Sequence, residues 1–268
     1  VTSATLQDYA SPKNASIKAP DDVDQFITIS PKPGFGKAQH DTWQSALAST
    51  GAAHLDHSAM RVSFLSPFDY ANQTRILVVN DLDRDRHEAT ASAMAALMIA
   101  AGGGGLGLFT AIRRLRAVYP ALAARLDTAG LPLYAQHIDK MNLQTLLAMF
   151  REDPESCLLG TDAVRDGIDV PGAALRLIVF DRMPWPRGDI LFSARAKWRG
   201  REEWTERQTR LRLRQAFGRL IRRENDRGVF VMLDRRLPTR LTSAFPADVD
   251  IQRIGLAEAI SQTHEFLK

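Results

Sequence analysis

Arg219 and Arg222 follow Gln215 in a segment whose apolar residues recur at helical spacing. At about 100° per residue with Gln215 at the origin, Arg219 falls near ~40° and Arg222 near ~340°. Leu213, Phe217, Leu220 and Ile221 cluster between roughly 140° and 240°. The spacing predicts a helix from about Glu203 to Arg223, with one core face and an opposite face presenting Gln215, Arg219 and Arg222 together. A guanidinium is planar and permanently charged, and it can donate two hydrogen bonds to one phosphate. Two of them converging on one site suit the neutralisation of charge that spreads over a transferring phosphoryl group. The same spacing fits a solvated helix face or salt bridges to carboxylates, and helix geometry alone leaves these readings open.

Other groups with chemical potential read more plainly. Gly102 to Gly107 satisfies the spacing G-x-G-x-x-G, but the glycines follow a predicted helix and precede a predicted strand, where a dinucleotide site needs the reverse. A turn is expected there. No G-x-x-x-x-G-K-[ST] loop occurs, and Gly34-Phe35-Gly36-Lys37 has the wrong glycine spacing, so the chain lacks a P-loop of its own. His54 and His57 share a helical face without a third ligand in view and read as surface residues. Asp162, Asp166 and Asp169 lie among glycines, where a loop and a divalent-cation site are both open readings, the loop being preferred. The single cysteine, Cys157, excludes an internal disulfide and any cysteine-only metal or iron-sulfur site; it reads as a small buried strand residue. Trp185 and Trp198 suit either base stacking or core packing.

These residues need a scaffold, and the pattern supplies one. From Arg75 onward strands and helices alternate. Apolar runs at 76–79, 107–109, 133–135, 157–159, 175–180 and 229–233 read as strands; 88–101, 112–118 and 142–150 read as helices, and a last amphipathic helix spans Leu256 to Leu267. Residues 183–204 read as a loop with a short helix. Before that, residues 7–60 show weak periodicity, with a short strand at Phe26 to Ile29 and a helix around Trp43 to Ala48. Such alternation implies an α/β domain with a mostly parallel sheet covered on both faces. With 268 residues, 45% of them hydrophobic, the chain can bury one sizeable core plus a smaller appendage. No apolar run approaches ~18 residues and the N-terminus has no signal layout, so a soluble, cytoplasmic piece of a longer protein is expected. Net charge is +4, yet Arg195 to Arg227 holds twelve Arg or Lys against five acids, a concentration that points to a polyanion or to a solvated helix face.

Several segments in fixed order carry a more specific signal. Val1-Thr2-Ser3-Ala4-Thr5-Leu6 resembles helicase motif III. Leu106-Gly107-Leu108-Phe109-Thr110 followed by Arg113 and Arg114 resembles motif IV, and Gly160-Thr161-Asp162 with Asp166-Gly167-Ile168-Asp169-Val170-Pro171-Gly172 resembles motif V. Gln215-Ala216-Phe217-Gly218-Arg219-Leu220-Ile221-Arg222, with Asp226, Gly228 and Asp234 after it, resembles motif VI. Ser66-Pro67-Phe68-Asp69-Tyr70 and Met183-Pro184-Trp185-Pro186 are secondary matches. In this order the segments are similar to those of the DinG/XPD-like ATP-dependent DNA helicases of superfamily 2. The chain departs from the family pattern at Arg165-Asp166, where an aromatic and Glu are frequent, and at Ala111-Ile112, where Ser-Tyr is frequent.

The resemblance implies a RecA-like three-layer domain at 71–268, the second of two motor domains, preceded at 1–70 by a motif III stub of the first and an irregular lead-in. It implies that Arg219 and Arg222 act as catalytic arginine fingers, and that Gly167, Asp169 and Gln215 join them at the nucleotide. Ser3, Thr5, Thr110, Arg113 and Thr161 would contact single-stranded DNA, with strand-end backbone amides as further phosphate contacts. ATP and Mg2+ would sit at the interface with the first motor domain of the same polypeptide. An iron-sulfur cluster would belong to that other half and not to this chain. The protein would be a monomer away from membranes, and this chain alone would be inactive. A RecA-like regulatory or nucleic-acid-binding module without motor activity is the alternative, and a Rossmann-type small-molecule enzyme lacks its phosphate site here.

Overall fold

The computed structural model describes residues 66–268 except Arg84, Ile168, Asp169 and Pro171, together with Leu47 and residues 50–57; of Trp198 and Arg199 it describes the backbone alone. Motif III with Ser3 and Thr5, the strand at 26–29, most of the helix around 43–48 and Asp169 lie outside the described residues. The chain divides into two compact units, 1–67 and 68–268. In the first, Ala52–His54 forms one 3-10 turn, and His54 and His57 are exposed.

The second unit is built on a seven-stranded sheet whose pairings are all parallel. Its strands are β1 (Thr74–Val79), β2 (Gly105–Leu108), β3 (Leu133–Ala135), β4 (Cys157–Gly160), β5 (Leu177–Phe180), β6 (Gly228–Met232) and β7 (Ile251–Ile254), in the spatial order β3-β4-β2-β5-β6-β1-β7. The helices are α1 (Tyr70–Gln73), α2 (His87–Ala100), α3 (Ile112–Thr128), α4 (Leu143–Glu152), α5 (Asp162–Gly167), α6 (Ile190–Arg199), α7 (Arg201–Phe217) and α8 (Leu256–Leu267). Successive strand residues point to opposite faces, so each central strand must be apolar throughout if both faces are covered. β2, β4, β5 and β6 are buried along their whole length. Ile76, Val78, Ile178, Phe180, Phe230 and Met232 meet residues of α4, α5 and α7 on one face. Leu77, Val79, Leu177, Val179, Val229 and Val231 meet α2, α3 and α8 on the other. The result is the expected three-layer α/β domain, with every pairing parallel.

Four differences from the sequence reading have physical causes. The helix expected to stop at Val118 continues to Thr128 through Pro120. Pro120 and Arg116, whose carbonyl loses its helical partner, both face solvent, while Leu115, Val118, Leu122 and Leu126 form an unbroken buried stripe. The strand expected at 107–109 lies at 105–108, because the ladder runs from Gly105 opposite Cys157 to Leu108 opposite Gly160. Edge strand β7 escaped notice because it is half-exposed and carries Gln252 and Arg253 between its two isoleucines. The loop expected around Asp162 begins with the short helix α5.

The glycine run is a turn, as its context implied. Gly103 has φ 86°, and a Cβ there would meet the Glu155 carbonyl oxygen at 2.1 Å, so a side chain is barred by strain and by space. Arg176 staples this turn by donating from Nη2 to the carbonyls of Gly102 (2.6 Å) and Pro154 (3.0 Å).

One buried polar cluster ties the layers together. Arg114, in the first turn of α3, donates from Nε to Asp181 Oδ2 at 2.5 Å and from Nη2 to Thr90 Oγ1 of α2 at 2.9 Å. Asp181, immediately after β5, also accepts the Thr110 N–H, 3.2 Å from Oδ1. Burial pushes the Asp181 carboxyl up, and the Arg114 charge pulls the other way. Removing one partner strands the other, so Arg114→Ala should lower stability by about 3–5 kcal/mol in urea denaturation. Arg114→Met combined with Asp181→Leu should cost much less; an equal loss in both variants would show that the charge pairing is not what matters.

Cys157 is fully buried, and desolvation pushes its thiol up to about 12. An iodoacetamide reaction near neutral pH should therefore label it only after denaturation. The sign for stability follows from the raised value. This contribution is intact below the ordinary thiol value of 9.0 and is lost as pH rises toward about 12, because the unfolded thiol ionises first.

Candidate functional site

The expected helix carrying Arg219 and Arg222 ends early, and both arginines lie beyond it. α7 stops at Phe217; Gly218 caps it, and the N–H groups of Arg219 and Leu220 reach back to the carbonyls of Ala216 and Phe217, both at 3.0 Å, in a tightened last turn. Further on, the N–H groups of Arg222 and Arg223 both bond Asp226 Oδ2 at 2.8 Å and not a helical carbonyl. Asp226 is buried and thus dictates the turn. Gln73, the residue just before β1, donates from Nε2 to the carbonyls of Glu224 (2.8 Å) and Asp226 (3.1 Å) from the other side. Leu220 and Ile221 are still buried as expected, which pins the segment between α7 and β6 to the core. Arg219 and Arg222 stand half-buried on a clamped turn, and Gln215 is half-buried one turn back in α7.

Arg219 brings motif VI against motif V. Its Nη2 donates to the Asp166 carbonyl at 3.1 Å, next to Gly167 at the end of α5. The carboxylates of α5 already have cationic partners. Arg165, buried between them, reaches Asp162 Oδ1 from Nη1 at 2.7 Å and Asp166 Oδ1 from Nη2 at 3.0 Å, while Arg212 of α7 lies 3.7 Å from Asp162. A divalent cation would have to displace these arginines, so Asp162 and Asp166 fit an ion-pair network better than a metal site. Cys157, buried and held protonated, does not fit an iron-sulfur ligand either.

Much of the basic segment is engaged internally. Arg210 is buried, Arg212 donates to the carbonyls of Pro184 (3.1 Å) and Trp185 (3.0 Å), and Arg214 donates to that of Ser243 (3.2 Å). Arg195 and Arg207 lie over the ring of buried Trp204, 6.0 and 5.5 Å from its centroid. The local charge surplus is in part a set of braces for α7. Trp185 stays 38% exposed.

A second group of residues gathers where the parallel strands end. Thr110 follows β2 and Thr161 follows β4, neighbouring strands whose C-terminal ends share one sheet edge. Arg113 is exposed in the first turn of α3 beside buried Arg114. The strand-end amides, expected to meet phosphate, are occupied. The Thr110 N–H goes to Asp181, and the N–H and hydroxyl of Thr161 both go to Gln136 Oε1 at 3.0 Å. The Thr110 carbonyl accepts from Arg187 Nη2 at 2.5 Å.

The expected residues thus fall into two places. Arg219, Gly167 and, on the adjoining clamped turn, Arg222 belong with the ends of α5 and α7; Thr110, Arg113 and Thr161 belong with the sheet edge. Sequence reasoning missed Gln73 as a clamp, and it missed Gln136 and His137 beside Thr161. Gln73 bonds residues some 150 positions away, and Gln136 bonds one 25 positions away, so no local spacing betrays them.

Comparison with known proteins bears on the family and the fold. Residues 94–250, more than half of the chain, match the family described as "Helicase C-terminal domain". The chain is 37% identical over 186 residues to the ATP-dependent helicase DinG of Mycobacterium tuberculosis, covering 65% of this chain and 27% of that protein. It is 32% identical over 186 residues to the ATP-dependent DNA helicase YoaA of Escherichia coli, covering 65% and 28%. The chain therefore spans about a quarter of the length of these relatives. Among solved structures, S. cerevisiae Dbp5 bound to RNA and ADP BeF3 shares the fold at TM-score 0.50 and 15% identity, over 74% of this chain and 46% of that one. With an all-parallel seven-stranded sheet, motifs IV to VI at its strand and helix ends and a family match over residues 94–250, the chain belongs to the helicase C-terminal domain family, of the DinG-like kind.

Proposed function

We propose that this chain is the second motor domain of an ATP-dependent DNA helicase, with residues 71–268 as the motor fold and 1–70 as a motif III stub and lead-in. Arg219 and Arg222 face ATP held by a first motor domain, while the sheet edge holds single-stranded DNA. The observation that carries the reading is the clamped turn: two arginines of the motif VI pattern, fixed by Asp226 and Gln73 and set against motif V through the Asp166 carbonyl.

Hydrolysis of ATP moves charge onto the γ-phosphate oxygens and the leaving group, and the residues needed are those that neutralise it in place. Arg219, whose Nη2 bonds the Asp166 carbonyl, donates to phosphate through a charge-assisted contact. Gln215 and Gly167 line the same approach, and Asp169 belongs with them by its place in motif V. A Mg2+ accompanying ATP would be bound on the first domain, since the α5 carboxylates are already paired with arginines. Thr110, Arg113 and Thr161, with Ser3 and Thr5 of motif III, line the path of the DNA backbone without reading bases, so closing and reopening of two domains around ATP moves the protein along a strand.

The chain has no P-loop sequence and by itself should show no DNA-stimulated ATP hydrolysis. Substantial turnover by the rigorously purified 268-residue chain would overturn the two-domain reading. Its binding to single-stranded DNA should be weak, sequence-tolerant and steeply dependent on salt, because phosphate contacts release counterions; a binding constant indifferent to ionic strength would contradict it.

In a protein that joins this domain to its first motor domain, Arg219→Ala or Arg222→Ala should lower ATP turnover on the order of a thousandfold while folding and most DNA binding persist. Lys at either position should rescue poorly, since an ammonium cannot make the two-pronged contact. Asp226→Ala should depress turnover through a loosened turn. Retention of near-parental turnover by both arginine variants would remove motif VI from the mechanism.

A further inference from the structure

We propose that Gln136 and His137, just past the outermost strand β3, form a third strand-end contact for single-stranded nucleic acid, with His137 donating to a backbone phosphate and Gln136 positioning Thr161 beside it. The proposal rests on the DNA-contact reading of the sheet edge. β3, β4 and β2 are consecutive in the sheet and parallel, so their C-terminal ends emerge side by side, about 4.8 Å apart from one strand to the next. His137, Thr161 and Thr110 occupy these three ends in order.

Gln136 is buried and continues the ladder through its N–H to the Leu159 carbonyl, 2.9 Å away. Its side-chain oxygen accepts both the N–H and the hydroxyl of Thr161, each at 3.0 Å. Turning the amide over would aim an NH2 group at the Thr161 N–H, so the orientation is fixed. The Thr161 proton is therefore committed inward, and its oxygen is left as an acceptor. Thr161 in this state offers a phosphate no donor. The donor must come from its neighbour.

His137 is that neighbour. Its ring is exposed, with Nε2 3.4 Å from Thr161 Oγ1; with the Thr161 proton given to Gln136, a bond between the two requires Nε2 to be the donor. A contact this long is readily exchanged for a phosphate oxygen. The backbone of His137 is also held at φ 71°, and among the described residues it is the one non-glycine with positive φ. A non-glycine residue in this region costs roughly 1–3 kcal/mol and persists mainly where function requires its side chain. The turn itself does not use the imidazole. It closes through Asp139, which accepts the Ala135 N–H at 2.7 Å and donates its own N–H to the Ala135 carbonyl at 3.0 Å. Arg116 adds a bond from Nη2 to the His137 carbonyl at 3.2 Å, which brings the exposed charges of Arg116 and, one turn earlier, Arg113 alongside. Glycine would fill the backbone role of His137 at less strain.

The test is fluorescence anisotropy of labelled oligo-dT with the 268-residue chain at low salt, paired with melting temperature. His137→Gly should leave the melting temperature unchanged or raised and weaken oligo-dT binding about tenfold or more, the effect of one hydrogen bond to a charged acceptor. Equal affinity in parent and His137→Gly, or a lowered melting temperature, overturns the proposal by making the imidazole idle or structural. Arg113→Ala serves as the separate arm. Its loss of affinity with His137 intact supports the sheet edge as the DNA surface whichever way His137 falls, whereas no oligo-dT binding by the parent chain overturns that surface and this proposal together.

Discussion

Four elements of this domain meet at an arginine and an aspartate that scarcely touch water. Arg114 and Asp181 join the first turn of α3 to the end of β5, and they hold α2 through Thr90 and the end of β2 through Thr110. Two charges out of water are costly unless every donor and acceptor finds a partner, so the pair tolerates little displacement. That rigidity reaches the surface by adjacency. Arg113 precedes Arg114 on the same helix about 100° away, so burying the second guanidinium aims the first outward. A structural pair and a solvent-facing charge are thus one sequence position apart, and the position of the exposed one is set by the buried one.

The motif VI arginines show a different way to fix a charged side chain. A long helix would have presented them as a rigid pair. The structure ends the helix at Phe217 and rebuilds the next residues around the Asp226 carboxylate, the Gln73 amide and two apolar anchors, Leu220 and Ile221. A turn held at four points is constrained in its backbone as a helix is, and through Gln73 it is fastened to the residue that precedes β1. Arg219 is held against the end of α5 through its Nη2 bond to the Asp166 carbonyl.

The sequence announced the central strands because burial on both faces forces unbroken apolar runs, as at 157–160, 177–180 and 228–232. It announced motifs IV to VI because their residues are contiguous. It did not announce where α7 ends, since Leu220 and Ile221 continue the helical periodicity while a carboxylate four residues beyond Arg222 redirects the backbone. Pro120 misled in the opposite sense, because a proline with its freed carbonyl toward water is cheaper than abandoning a buried stripe. The basic segment at 195–227 read as a polyanion surface or a solvated helix face, and several of its arginines are braces. Charge counts register sign, and only contacts register whether a partner is already present.

The two ends of the domain meet through an aromatic ring. Arg75, near the start of β1, and Arg227, just before β6, lie over the ring of Phe266 in the last turn of α8, at 4.2 and 4.9 Å from its centroid. β7 pairs with β1 as well, so the first and last strands of the domain are neighbours in space. Topologically the domain is close to a closed ring, entered and left at one seam. The seam could be moved to an open turn such as the one at Gly130, where a Cβ would meet nothing within 4 Å, without changing which strands pair. What the chain order contributes is therefore the place where residues 68–73 lead into the sheet, beside β1 and far along it from strands β3 and β4.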